Sequence, residues 1–376
     1  MGPAVARGVG RLAGLLGGCR LRCRRRVATG LLAGLVCLSA AAFLCSGGHE
    51  ELFSRALPLW AAAGGGGPPD DPPAPPPPPR RPAEFALEPP PPPACAPPTG
   101  PRRRRLLLLS LVVSATDHAE QRQAVRATWG GVGGSPPGAL RTFFVVGLPG
   151  DPSRQAALEE EARRHGDLIQ GRFVDTYANL TLKTLALLGW AAFRCPAAAF
   201  VLKVDDDVFM NLPALAAHLD ALRDPRGLYL GRIHWRVRPD RNPASRHHVP
   251  AALYPGDVFP PYCSGTAYVL SGDAVAAVLD AARHVPLVPV EDAFVGLCAW
   301  RAGITPRHVV RMAGSTHFPA DPCCYREVLF SVHDVAAPKM VDMWQRAWRQ
   351  EAACTFFQHA FGILRCRILS WMEAGL

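Results

Sequence analysis

Past residue 45 the sequence contains no Cys-x-x-Cys pair and no cysteine–histidine spacing of the kind that builds a zinc site. It also lacks a basic face interleaved with aromatics, so the formal charge of +10 does not point to nucleic acid. The first 26 residues hold no acidic side chain, only Arg7, Arg11, Arg20, Arg22, Arg24, Arg25 and Arg26 among charged groups. Val27 to Cys45 holds no charge at all. Residues 61–67, the Pro-rich runs at 72–79 and 89–93, and residues 102–105 show no hydrophobic periodicity.

These absences order the chain. An uncharged apolar stretch from 27 to 45 is near the length that spans a bilayer as a helix. Arginines before it and Glu50 and Glu51 after it place the N-terminus in the cytoplasm. A cleaved signal peptide is the alternative, although its apolar region is usually shorter. The preferred expectation is a basic tail over 1–26, a signal anchor over 27–45 and membrane attachment through that helix. Residues 46–105, with Pro-rich runs at 72–79 and 89–93, are expected to form an extended stem. A folded domain is then expected over 106–376. Beyond the anchor lie Cys95, Cys195, Cys263, Cys298, Cys323, Cys324, Cys354 and Cys366. In an oxidising compartment most should pair, among about a hundred connectivities.

Apolar runs at 106–113 and 199–204 read as buried strands, 141–147 and 168–174 as further strands, and 119–129, 153–165 and 180–193 as helices. This alternation predicts an α/β domain with a largely parallel sheet. The strand at 199–204 delivers Asp205, Asp206 and Asp207 to its carboxyl end, where open α/β sheets bind ligands. Three crowded carboxylates suit Mg²⁺ or Mn²⁺ bridging a nucleotide's phosphates, or they form a solvated acidic turn.

Other candidates carry similar pairs of readings. Arg122 and Arg126 share one helical face, which fits a diphosphate but more simply an exposed basic face. Asp175 ends the third strand. Lys183, the one charge in a buried helix before Arg194, needs either an acidic partner or a ligand phosphate. Asn179-Leu180-Thr181 is an N-glycosylation sequon. Glu291 and Asp292 at a helix start satisfy the helix dipole or supply a general base. His333 closes an apolar run and either completes a metal site or is an ordinary polar residue. The Pro-, Arg- and His-rich stretch at 238–262 is long for a loop and a candidate acceptor site.

As an ordered set these segments resemble glycosyltransferase family 31, the β-1,3-galactosyltransferase and β-1,3-N-acetylglucosaminyltransferase group. The matching pieces are Arg122-Gln-Ala-Val-Arg126-Ala-Thr-Trp129, Asp175-Thr-Tyr177 with Asn179-Leu-Thr-Leu-Lys183-Thr184, and Lys203-Val-Asp205-Asp206-Asp207-Val-Phe209. Pro261-Tyr-Cys-Ser-Gly265, Glu291-Asp-Ala-Phe-Val-Gly296 and Val332-His333 continue the order. The resemblance implies a GT-A (Rossmann-like) nucleotide-sugar fold behind a single transmembrane helix. It further implies a Golgi type II location and an inverting transfer of a hexose from UDP-Gal or UDP-GlcNAc to a glycan acceptor on a glycoprotein or glycolipid.

Carried over by residue, the resemblance gives Asp207 and His333 to Mn²⁺ and makes Asp292 the catalytic base. Arg122, Arg126, Asp175, Lys183, Asp205 and Asp206 fall on the donor side. A catalytically silent relative that binds glycans or assists folding is the alternative, and a hydrolase ranks below it. Two departures stand out: Ala293 follows Glu-Asp where valine is usual, and Ala267 replaces a glycine where backbone would approach the donor.

Overall fold

The computed structural model describes residues 29–62, 84–90, 95, 108–133, 139–314, 318, 321–349 and 354–374. The basic tail and much of the expected stem lie outside the described residues. The chain divides into two compact units, Met1–His49 and Glu50–Leu376. In the first, α1 (Thr29–Cys45) occupies the expected span, with Leu31, Leu32, Leu35 and Leu38 exposed. Among the described residues no single helix is long and apolar enough to cross a membrane.

The second unit is built on one mixed sheet. After α2 (Gly48–Ala62) come β1 (Phe85–Leu87), β2 (Leu108–Val113), α3 (Ala119–Ala127), β3 (Leu140–Leu148), α4 (Pro152–His165), β4 (Leu168–Val174), α5 (Leu180–Arg194) and β5 (Phe200–Asp205). They are followed by β6 (Phe209–Met210), α6 (Leu212–Asp220), β7 (Tyr229–His234), β8 (Tyr262–Ser271), α7 (Gly272–Ala281), α8 (Glu291–Arg301) and β9 (Arg307–His308). Last are β10 (Ser331–Val332), α9 (Ala337–Arg349), α10 (Phe356–Ala360) and α11 (Gly362–Ala374).

The large sheet runs β1-β4-β3-β2-β5-β8-β7-β9. Strands β4, β3, β2 and β5 are mutually parallel, as the strand–helix alternation predicts. The rest corrects the expectation of a largely parallel sheet: β8 is antiparallel to both β5 and β7. The physical reason is the link between β7 and β8, an irregular stretch rather than a crossover helix, which lets the chain return in the opposite sense.

All six residues of β2 are buried, and they alternate between two cores, as a strand covered on both faces must. Leu108 and Val112 join a core with Val125 of α3, Leu215 of α6 and Met340 and Met343 of α9. Leu109, Leu111 and Val113 join a core with Leu187 and Trp190 of α5, Val275 of α7 and Phe294 and Val295 of α8. Local signals set the helix ends. Asp151 caps α4 by accepting from the Ser153 amide, Pro152 opens its first turn, and Gly166 leaves it in the left-handed region at φ 63°.

Folded pieces reach into the segment expected as stem. Phe85 and Leu87 pair with β4, Glu88 pairs with Arg194 at 2.6 Å, and Cys95 is bonded to Cys195. In α2, the Ser54 Oγ accepts from the His308 amide at 3.1 Å, and Phe53 meets Trp235 edge-on. Further disulfides join Cys323 to Cys354 and Cys324 to Cys366, leaving Cys263 and Cys298 as buried thiols.

Candidate active site

The parallel strands end together, so Ser114, Asp175 and Asp205 fall at one edge of the sheet, after β2, after β4 and at the tip of β5. That edge is where the sequence placed its carboxylates. A second, two-stranded ladder completes it: β6 pairs antiparallel with β10, Phe209 opposite Val332. The ladder brings His333 Nε2 to 3.3 Å from an Asp207 oxygen. The expected strand at the end of the chain is correspondingly shorter, because residues 324–328 coil into a wide helical turn.

Asp205, Asp207 and His333 each offer one ligand atom, all within 4.8 Å of one another. The other Asp207 oxygen, Oδ1, is buried with no hydrogen-bond partner, as is His333 Nδ1. Two carboxylates and an imidazole with an unsatisfied buried oxygen fit a divalent cation of the Mg²⁺–Mn²⁺ type. The hydrogen bond to Asp207 raises the His333 imidazole above its ordinary pKa. Burial works to raise the Asp207 carboxyl, but the His333 bond outweighs it and the group sits low.

Asp206 turns the other way. It is buried, accepts from Ser114 Oγ at 2.6 Å and contacts His118 Nδ1 at 2.9 Å. Burial pushes its carboxyl upward against both partners. Lys183 and Asp175 form a buried pair at 2.6 Å. The lysine also donates to the Ser114 carbonyl at 2.8 Å, and the Gly147 amide donates to Asp175 at 2.8 Å. Of the two readings of Lys183, an acidic partner is the one the geometry supplies.

Arg122 and Arg126 are not an exposed basic face. Arg122 is 1 % exposed and grips Glu161 with two N–H groups at 2.8 and 2.7 Å. Its remaining nitrogen donates to Ser114 Oγ and the Ala115 carbonyl. Arg126 is forked onto Asp167 and also reaches Glu161. Both guanidinium groups are therefore satisfied inside the protein. Through Ser114, Arg122 supports Asp206 from behind.

Asp292 lies in the first turn of α8 and is half-buried. Its Oδ2 accepts from the Gly265 amide at 3.0 Å. Its neighbour Glu291 is buried and accepts from Thr184 Oγ1 at 2.9 Å and Tyr268 OH at 2.8 Å. Burial raises the Glu291 carboxyl despite the nearby Lys203 ammonium. Ala267 pairs with Val204 across β5 and β8 and is buried at 2 % exposure in the same core cluster as Val204 and Val269. Ala293 is likewise fully buried.

The loop between β7 and β8 is a built structure. Arg241 donates to the carbonyls of Val249, Tyr254 and Gly256. At its tip Arg246 lies over the Tyr177 ring, and His247 approaches the Tyr177 hydroxyl at 3.2 Å. The sequon residue Asn179 donates to the Val174 carbonyl at 2.9 Å, while Thr181 is buried with its hydroxyl on the Val288 carbonyl. Sequence reasoning missed Glu161, Asp167, His118 and Tyr268 as partners. Lys203 stands as a buried charge inside the apolar strand β5.

Residues 120–310 match the family model described as Galactosyltransferase. The chain is 40 % identical over 297 residues to the β-1,3-galactosyltransferase 4 of Rattus norvegicus, covering 70 % of this chain and 80 % of that one. It is 41 % identical over 259 residues to a human acetylgalactosaminyl-O-glycosyl-glycoprotein β-1,3-N-acetylglucosaminyltransferase, covering 65 % and 66 %. It is 34 % identical over 266 residues to human β-1,3-galactosyltransferase 9, covering 70 % and 72 %.

Proposed function

The chain belongs to the galactosyltransferase family and is a glycosyltransferase, and from that premise we propose that it moves a hexose from a UDP-sugar to a glycan hydroxyl, forming a β-1,3 linkage with inversion. Galactose is the first choice of donor and N-acetylglucosamine the second, since relatives of both names match the chain. The observation that carries the reading is the Asp205–Asp207–His333 group at the same sheet edge as the half-buried base candidate Asp292.

Asp205, Asp207 and His333 are the residues that would hold Mn²⁺, which when bound neutralises charge on the diphosphate leaving group. Asp292 deprotonates the acceptor 3-hydroxyl as that oxygen attacks the anomeric carbon from the face opposite UDP. One displacement turns an α-linked donor into a β-linked product, so no protein nucleophile is needed. Asp206, clamped by Ser114 and His118, and the Lys183–Asp175 pair shape the donor side. The Arg122 and Arg126 ion pairs brace it. The loop tip at Arg246 and His247, resting on Tyr177, frames the acceptor side.

The GT-A form of the fold, a Golgi membrane location as a single-pass type II protein, and the division into tail, anchor, stem and catalytic domain belong to the same reading. Carbohydrate at Asn179 would be added before the chain closes over Thr181.

The test is the full chain in detergent with Mn²⁺, a panel of UDP-sugars and β-linked galactose, N-acetylglucosamine and N-acetylgalactosamine acceptors. Release of UDP with a β-1,3 linkage in the product, read by NMR, is the expected result. No UDP binding under these conditions sinks the reading.

A further inference from the structure

Lys203 is one of only three lysines in the chain. It is 4 % exposed on β5, where Phe200, Val201, Leu202 and Val204 are apolar. Its ammonium meets Asp205 Oδ1 at 2.6 Å, Glu291 Oε2 at 3.6 Å and the Gly265 carbonyl. The same residue, Gly265, through its amide in the preceding peptide unit, donates to Asp292 Oδ2 at 3.0 Å. Space there is tight: a Cβ on Gly265 would lie 3.1 Å from Glu291 Oε2 and 3.4 Å from Asp292 Cβ.

We propose that Lys203 is a positioning residue that fixes the separation between the cation-binding carboxylate and the base. The inference rests on the functional reading above. One N–H holds Asp205 and another holds the Gly265 carbonyl, while the Gly265 amide holds Asp292. Asp205 and Asp292 lie on different elements, β5 and α8, and Lys203 with Gly265 is the hydrogen-bonded link between them. The side chain is too buried to touch substrate. An ammonium suits the task because it donates in three directions and carries the charge that a buried carboxylate pair requires. Small misplacements of a base cost turnover more than binding, so the link should be felt in kcat.

Lys203→Met alone would strand the buried Glu291 charge, so the test pairs it with Glu291→Gln and compares the double variant with Glu291→Gln alone, both as the full chain with Mn²⁺. Removal of the link is expected to lower kcat about 30-fold relative to Glu291→Gln, with KM for the UDP-sugar and the Mn²⁺-dependent Kd for UDP within about threefold. Hydrogen exchange at the Gly265 amide, which needs no turnover, is expected to quicken about tenfold or more. Equal kcat in the two variants overturns the proposal, as does unchanged amide protection. Parallel losses in kcat, KM and Kd overturn it too, because they would make Lys203 part of the donor site. Should the double variant not fold, Gly265→Ala, whose Cβ would come to 3.1 Å from Glu291 Oε2 and against Asp292 without removing a charge, is judged by the same kcat and Kd criteria. Wild-type protein that turns over no UDP-sugar sinks the transferase reading instead, and the exchange measurement still decides Lys203.

Discussion

Asp207 and His333 meet at 3.3 Å only because two residues on each side, Phe209–Met210 and Ser331–Val332, zip into a short antiparallel ladder. The ladder lets a residue late in the chain join a carboxylate at the tip of β5. If that pair serves a divalent cation, Asp207→Ala should weaken Mn²⁺-dependent UDP binding by about 100-fold, of the order seen when metal-site groups are lost. Titration calorimetry with and without Mn²⁺ reads this directly. Unchanged Mn²⁺-dependent binding would count against the assignment of Asp207.

Asp292→Asn makes the complementary cut. The amide keeps the side chain's size and its acceptor for the Gly265 amide, but it cannot take a proton. Transfer should fall by about a thousandfold, within the range for loss of a general base, while UDP affinity stays near that of the wild type. Loss of UDP affinity in this variant would show that Asp292 belongs to the donor site.

The sequence displayed the elements whose signals are local. A continuous apolar run marked β2, and the stretch 153–165 read as the helix that became α4. Carboxylates after β5 and at the start of α8 were equally visible, because strand length and helix capping place them. What stayed hidden depends on pairing across the fold. Nothing near Arg122 announces Glu161, since the two meet only when α3 and α4 pack on the same side of the sheet. Nothing near Asp207 announces a two-residue ladder to β10. The three residues of β1 are too short to show a period and sit among prolines, yet β4 pairs with them. The antiparallel return of β8 follows from a long loop whose path has no local signature.

Lys183→Met should unfold the protein more readily than its size suggests. The side chain is buried against Asp175, and burial already pulls the Lys183 pKa down against that partner's charge. Removing the lysine leaves a buried carboxylate with no cation, which costs about 3 to 5 kcal/mol. Adding Asp175→Asn removes the stranded charge and should recover much of the loss. Chemical denaturation of the two single variants and the double variant gives the coupling, and additive losses would mean that the pair contributes little.

The Glu161 cluster sets an acid limit. Burial works to raise the Glu161 carboxyl, but hydrogen bonds and charge from Arg122 and Arg126 outweigh it, so its folded pKa lies below the ordinary value. A carboxyl depressed on folding contributes stability above its unfolded pKa of about 4.3, and that contribution is lost as pH falls through the folded value. Glu161→Gln should therefore cost about 2 to 4 kcal/mol near neutral pH. The gap to wild type should narrow steadily below about pH 4.3. Stability curves of the two proteins that stay parallel down to pH 3 would show that Glu161 does not carry this charge coupling.

The Cys95–Cys195 bond closes a loop of 100 residues and ties the segment that carries β1 to the end of α5. Opening a loop that long releases chain entropy worth about 4 kcal/mol to the unfolded state. Beyond the entropy, the bond works with Glu88 and Arg194, which pair beside it, to hold β1 on the edge of β4. Cys195→Ser should therefore lower global stability and also speed hydrogen exchange in residues 84–88 ahead of the central strands. The proposed cation and base carboxylates sit at the end of β5 and the start of α8, so Mn²⁺-dependent UDP binding should persist in the variant below its melting temperature. If exchange quickens at Asp205 and Gly265 as much as at Phe85, the edge and the centre unfold as one unit, and β1 is part of the cooperative core rather than a strap upon it.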